Sequence, residues 1–202
     1  HGLGQISKDW DTIKNELETR GISSVAPDLF DLAKGRKLDY PTVYQAFSEL
    51  CESYQDKLNL CGLSLGGLLA LNYAIQYPKK INSLVLIGTP FEIPKGLLKF
   101  QNIVFRFMPK AVFQNMGVSK KDFIRLSKSM VDLNFMDSAT ALDCPALILC
   151  GAKDKTNMES AKRFHEAMKN SKLVIVEASG HEVNKDNPNE LVRVLQDFWA
   201  DR

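Results

Sequence analysis

Strand-length apolar runs alternate with helix-length amphipathic runs along most of this chain, and few architectures satisfy that alternation. Residues 22–26 read as a strand that stops at Pro27. Residues 58–61, 81–87, 146–150 and 173–176 read as further strands. Between them lie helical patterns. One runs through Trp10, Ile13 and Leu17, with Ser7 as its N-cap and Gly21 as its stop. Another opens at Pro41 and carries Val43, Phe47 and Leu50 on one face. Residues 64–77 form a helix ended by Pro78, residues 158–168 another, and residues 188–199 the last. Strand–helix alternation implies an α/β fold, a mostly parallel sheet with helices on both faces. At 202 residues the chain is long enough for one domain with a full core, which we assign to residues 1–202.

The alternation breaks once. Residues 91–141 show helical periodicity and no strand, so we read them as a helical insertion that acts as a lid. Ser119 and Asp122 form a capping box ahead of Phe123, Leu126 and Met130. Seven of the eleven phenylalanines fall here: Phe91, Phe100, Phe105, Phe107, Phe113, Phe123 and Phe135. Met108, Met116, Met130 and Met136 are here too. A short lid must bury one face on the main domain, so much of this enrichment is core. What is left over favours an apolar pocket for an acyl chain or aromatic group. Arg106 and Arg125 read as surface arginines, a substrate carboxylate being the other role open to them.

Composition excludes some functions. Net charge is +2 with no dense Lys/Arg block, which argues against nucleic acid, since phosphate binding needs a concentrated basic surface. No apolar run approaches the roughly 20 residues that span a bilayer. Cys51, Cys61, Cys144 and Cys150 form no C-x-x-C pair. That points to reduced thiols and a cytoplasmic location. No signal peptide is visible, and the sequence starts at His1 with no initiator Met.

The chemistry centres on Gly62-Leu63-Ser64-Leu65-Gly66, followed by Gly67. This matches G-x-S-x-G and lies between a short strand and a helix. The turn is so tight that small residues must flank the serine. The bland alternative is a glycine-rich turn in which Ser64 merely caps the helix. A serine hydroxyl needs a base to take its proton. Of the three histidines, His1 lies before the first helix and His165 lies mid-helix. His181 follows Gly180 in a loop after the last strand, at the sheet end where such folds place functional groups. The imidazole needs an acceptor on its other nitrogen. Asp154, just past the strand at 146–150, fills that role in the chain order Ser, Asp, His. Glu92 is the second candidate for the acid.

With these landmarks the chain resembles the α/β-hydrolase family over nearly its whole length, as a small serine esterase or hydrolase with a short lid. The matching residues are His1-Gly2-Leu3-Gly4, the elbow at Ser64, and the Gly-x-x-Asp and Gly-His pairs at Asp154 and His181. The resemblance implies Ser64, Asp154 and His181 as catalytic triad. It also implies an oxyanion hole made by the backbone N–H groups of Leu3 and Leu65, and a structural role for His1. It implies a strand before His1, between residues 22–26 and 58–61. Without that strand the sheet would carry a gap of about 10 Å. Relatives often have a glycine-rich turn after Pro27-Asp28-Leu29, where this chain has Phe30-Asp31-Leu32. Ser64 argues against the epoxide and haloalkane chemistry of relatives with an aspartate nucleophile.

The expected activity is hydrolysis of a carboxylic ester or thioester through an acyl-enzyme, on a small apolar acyl substrate. It needs no cofactor and no metal. Carbon–carbon bond hydrolysis or a lyase step on the same triad is the alternative enzyme reading. A ligand-binding protein that retains the fold is the non-enzymatic one.

Overall fold

The computed structural model describes residues 1–92, 105 and 107–200. Phe100 and Arg106 therefore lie outside the described residues. The helices are α1 (Asp11–Thr19), α2 (Leu29–Leu32), α3 (Tyr40–Glu52), α4 (Leu65–Gln76), α5 (Lys110–Asn115), α6 (Lys120–Ser129), α7 (Met136–Ala139), α8 (Lys155–Ala167), α9 (Val183–Asp186) and α10 (Pro188–Trp199). The strands are β1 (Leu58–Leu63), β2 (Ile81–Ile87), β3 (Ala146–Gly151) and β4 (Ser171–Val176). All pairs are parallel, in the spatial order β1-β2-β3-β4.

Side-chain alternation in β2 and β3 divides the core into two layers. Leu84, Leu86, Ala146, Ile148 and Cys150 face α3, α4 and α8, where Leu68, Leu71, Tyr73 and Phe164 are buried. Val85, Ile87, Leu147 and Leu149 face α1 and α10, against Ile13, Leu17, Leu191 and Leu195. The structure is an α/β sandwich, with helices on both faces of a parallel sheet. Burial of each such Leu, Ile or Val stabilises the fold by roughly 1.5–3 kcal/mol.

Local chemistry sets the helix ends. The Asp28 side chain accepts from Phe30 N and Asp31 N and nucleates the one-turn α2. Asp39 caps α3 by accepting from Thr42 N, with Pro41 in the first turn. Ser119 caps α6 by accepting from Asp122 N at 3.1 Å. Gly21, at φ 78°, lets the chain turn out of α1 while Ile22 N donates to Leu17 O.

Two expectations are corrected. Ser7 does not cap α1. It begins a 3-10 turn, Ser7–Trp10, whose entry is held by the Asp9 carboxylate accepting from Ile6 N at 2.8 Å. Residues 22–26 form no strand and join no sheet among the described residues. They face the unpaired edge of β1 across a cavity of about 580 Å³, also lined by Trp10, Leu17, Cys61 and Trp199. Val25 in this segment is 68% exposed.

The described part of segment 91–141 packs mainly as core. Phe113, Phe123, Leu126, Met130, Phe135 and Ala139 are buried in the layer that contains α3 and α4. Phe123 meets Phe105 and Phe113 edge to face at 4.9 and 5.1 Å. Tyr40 N donates to Ser129 Oγ at 2.7 Å, tying α6 to α3. Phe135 N donates to Phe91 O at 2.9 Å, so the segment returns beside the point where it leaves the sheet.

Candidate active site

The carboxyl ends of the parallel strands gather the candidate residues at one rim of the sheet. β1 runs directly into α4 through Ser64, which has φ 53° and ψ −109°. Only Ser64 and Ala178 have positive φ among the described non-glycine residues. Such a conformation costs about 1–3 kcal/mol and persists only where the surroundings enforce it. They do so here. Ser64 N donates to Ile87 O at 2.9 Å, and Gly66 N donates to His1 O at 3.1 Å. A Cβ on Gly62 would strike the backbone of Gly66 and Gly67, and one on Gly66 would lie 2.9 Å from His1 O. Ser64 occupies the N-cap position of α4, yet its side chain makes no capping hydrogen bond. A serine placed there only as a cap would use its hydroxyl on the helix.

Asp154 and His181 meet at the ends of β3 and β4. His181 Nδ1 donates to Asp154 Oδ2 at 2.7 Å, and the side chains are 41% and 5% exposed. The carboxylate is thus buried and the imidazole reaches toward solvent. Their loops are fastened to each other. Ala152 N donates to Val176 O at 2.9 Å, and Lys153 N to Ser179 O at 2.8 Å. Gly180 N donates to Asp186 Oδ2 at 2.7 Å. Burial opposes ionisation of Asp154. Hydrogen bonds from His181 and Asn157 outweigh it and hold the carboxyl below its usual range.

Gly88, at φ 50°, links this pair to the elbow. A Cβ on it would lie 3.0 Å from His181 Nδ1 and 3.3 Å from Asp154 Oδ2. Ile87, next to it, takes the Ser64 N–H. The end of β2 therefore lies between the elbow and the histidine–carboxylate pair. Sequence reasoning did not assign Gly88 to the site. It missed Asn157 as well, although the Asp-x-x-Asn spacing at a helix start carries the signal.

Leu65 is the first residue of α4, so its N–H has no partner within the helix. Leu3 sits in the turn closed by Gln5 N donating to Gly2 O at 3.1 Å. That turn rests on the elbow, since a Cβ on Gly2 would lie 3.6 Å from Ser64 Cβ. Helix dipole and free amides make this corner receptive to negative charge.

The remaining candidates are placed elsewhere. The His1 ring is fully buried: its Nε2 accepts from Leu29 N at 2.9 Å, and its Nδ1 lies 2.9 Å from Gly2 O. Both nitrogens are engaged, and Phe30 packs on the ring at 5.3 Å. The Phe30-Asp31-Leu32 sequence thus replaces a glycine-rich turn with a helical turn over His1. His165 bonds Ser171 Oγ at 2.9 Å on the exposed side of α8. Glu92 is exposed, in an isolated backbone bridge with Asn134. Arg125 pairs with Asp122 at 2.6 Å. The 580 Å³ cavity along β1 includes none of Ser64, Asp154 or His181.

The sequence pattern of the alpha/beta hydrolase fold matches residues 1–134, well over half of the chain. The chain belongs to the alpha/beta hydrolase fold family. This alpha/beta hydrolase is 26% identical to Lipase 3 of a Moraxella species, a match over 94% of this chain and 74% of that protein. Its structure is similar to an esterase from Exiguobacterium antarcticum, with a TM-score of 0.79 at 18% identity, over 98% of this chain and 89% of the other. It is equally similar to a meta-cleavage product hydrolase from Pseudomonas fluorescens, with a TM-score of 0.78 at 17% identity, over 99% and 88%. At such identities the structural likeness speaks for the fold of this alpha/beta hydrolase. None of its described helices is long and apolar enough to cross a membrane.

Proposed function

We propose that this alpha/beta hydrolase cleaves a carboxylic ester or thioester through an acyl-enzyme on Ser64. The observation that carries the reading is the short His181–Asp154 hydrogen bond beside a serine in enforced positive-φ geometry. Asp154 fixes the Nδ1–H tautomer, which leaves His181 Nε2 as the base for the Ser64 proton. Ser64 Oγ then attacks the carbonyl carbon. The negative oxygen is held by the N–H groups of Leu65 and Leu3. His181 returns the proton to the leaving group, and a water, activated by the same imidazole, releases the acyl group.

The helical segment at 91–141 is read as a lid over Ser64, and the substrate as a small apolar acyl compound. The four cysteines are all unbridged, which favours a reducing, cytoplasmic setting. A broad fluorophosphonate probe tests the reading: it should label Ser64 in the wild type and fail with Ser64→Ala. A graded series of p-nitrophenyl esters then ranks acyl length. The meta-cleavage product hydrolase among the structural relatives supports a second reading, carbon–carbon bond hydrolysis on the same triad. Turnover of a vinylogous diketone, with no turnover of any ester in the series, would favour it. Absence of labelling and of turnover would leave a binding protein.

A further inference from the structure

We infer that Asn157 is a positioning residue, one that locks the Asp154 carboxylate so that His181 is presented to Ser64. The inference rests on the triad reading above. Asp154 is itself the N-cap of α8, and it accepts from the backbone N–H of Asn157 at 3.2 Å. Capping asks for nothing more than that bond. Yet the Asn157 side chain folds back onto the cap. Its Nδ2 lies 3.1 Å from Asp154 Oδ1 and 2.9 Å from Oδ2. Asn157 is buried, at 9% exposure.

The amide has one sensible orientation there. Were its oxygen to face Asp154, it would press against two carboxylate oxygens with no proton between them. With nitrogen inward, Oδ1 takes the backbone N–H and the longer bond from Asn157 Nδ2, and Oδ2 takes two converging donors, Asn157 Nδ2 and His181 Nδ1. The 3.2 Å approach of Asn157 Nδ2 to His181 Nδ1 follows from that convergence. The carboxylate is then gripped on both oxygens, and only Oδ2 is directed at the imidazole. An aspartate held by its cap bond alone could turn about its side-chain torsions and offer either oxygen. Donors to the charged form also keep the carboxylate ionised in a buried place.

Asn157→Leu keeps the branched shape at a somewhat larger volume and removes both side-chain N–H donors, while the backbone N–H still caps the helix. It should keep fluorophosphonate labelling of Ser64 but lower kcat about tenfold, with KM within about twofold. That is the weight of one hydrogen bond to a charged group. Asn157→Ser, smaller and still able to form the cap, serves if the leucine variant does not fold. The second readout is the tautomer of His181, from imidazole nitrogen chemical shifts in a Ser64→Ala background. The parent should hold the Nδ1–H form, and Asn157→Leu should show a measurable share of Nε2–H. A lower melting temperature with kcat and tautomer unchanged would overturn the inference and leave Asn157 as part of the helix start. Failure of the hydrolase reading would show separately, as a wild type that neither labels nor turns over esters. The nitrogen shifts would still decide the role of Asn157.

Discussion

Ser64 meets two opposed requirements. Its hydroxyl must project from the strand–helix turn, and the backbone that achieves this is one an L-residue disfavours. Ser64→Gly relieves the strain and removes the proposed nucleophile together. We expect it to melt at or above the wild-type temperature, with no turnover, because the relief of about 1–3 kcal/mol exceeds the extra chain entropy of glycine. Ser64→Ala should lower kcat by about 10⁴ to 10⁶ with the fold intact, and more than a tenth of activity remaining would remove Ser64 from the mechanism. Gly88→Ala tests the other side of the rim. The substitution combines a disfavoured φ with a methyl group 3.0 Å from His181 Nδ1. Its activity should fall by more than its loss of stability accounts for, as read by comparing kcat with a urea midpoint. Ser64, Asp154 and His181 stand out in the sequence as candidates because each follows an apolar run that reads as a strand. Gly88 and Asn157 are not, since their roles depend on contacts across four strand ends.

At the scale of elements, legibility tracks how much each element owes to its own sequence. β2 and α10 match the sequence reading to the residue, since the apolar run Leu84–Ile87 and a first-turn proline mark them. Residues 22–26 have the composition of a strand, but a strand exists only with a neighbour to pair with, and composition says nothing of neighbours. The one-turn α2 and α9 were missed because four residues carry no periodicity. The segment 91–141 tests differently. Phe113 is fully buried in it, so Phe113→Ala should destabilise by about 3–5 kcal/mol, measured by denaturant unfolding. For the lid reading, an acyl phosphonate with a photoreactive tail, bound to Ser64, should crosslink within 91–141. Crosslinks confined to α1 or α10, on the opposite face of the sheet, would refute it.

For the whole molecule, acid stability follows from Asp154. Its native pKa lies below that of the unfolded chain, since the hydrogen bonds from His181 and Asn157 overcome burial. The stabilisation is therefore fully present above the unfolded-state value of about 3.9, and is lost as pH falls through the native pKa. The gap between the unfolding free energies of wild type and Asp154→Asn, measured from pH 7 to pH 3, should begin to narrow as pH falls below about 4. A gap that stays constant over that range would contradict the proposed origin.

The double duty of Asp154 has a thermal consequence. Helix ends fray and reclose far below the temperature at which a sheet core comes apart. Here the first turn of α8 cannot fray without releasing the acceptor behind His181, because one carboxylate serves both. Warming should thus silence the chemistry while β2 and β3 are still intact. Turnover would fade several degrees before the far-ultraviolet signal moves, and return on cooling. An added clamp on that one turn would raise the working temperature without any change to the core.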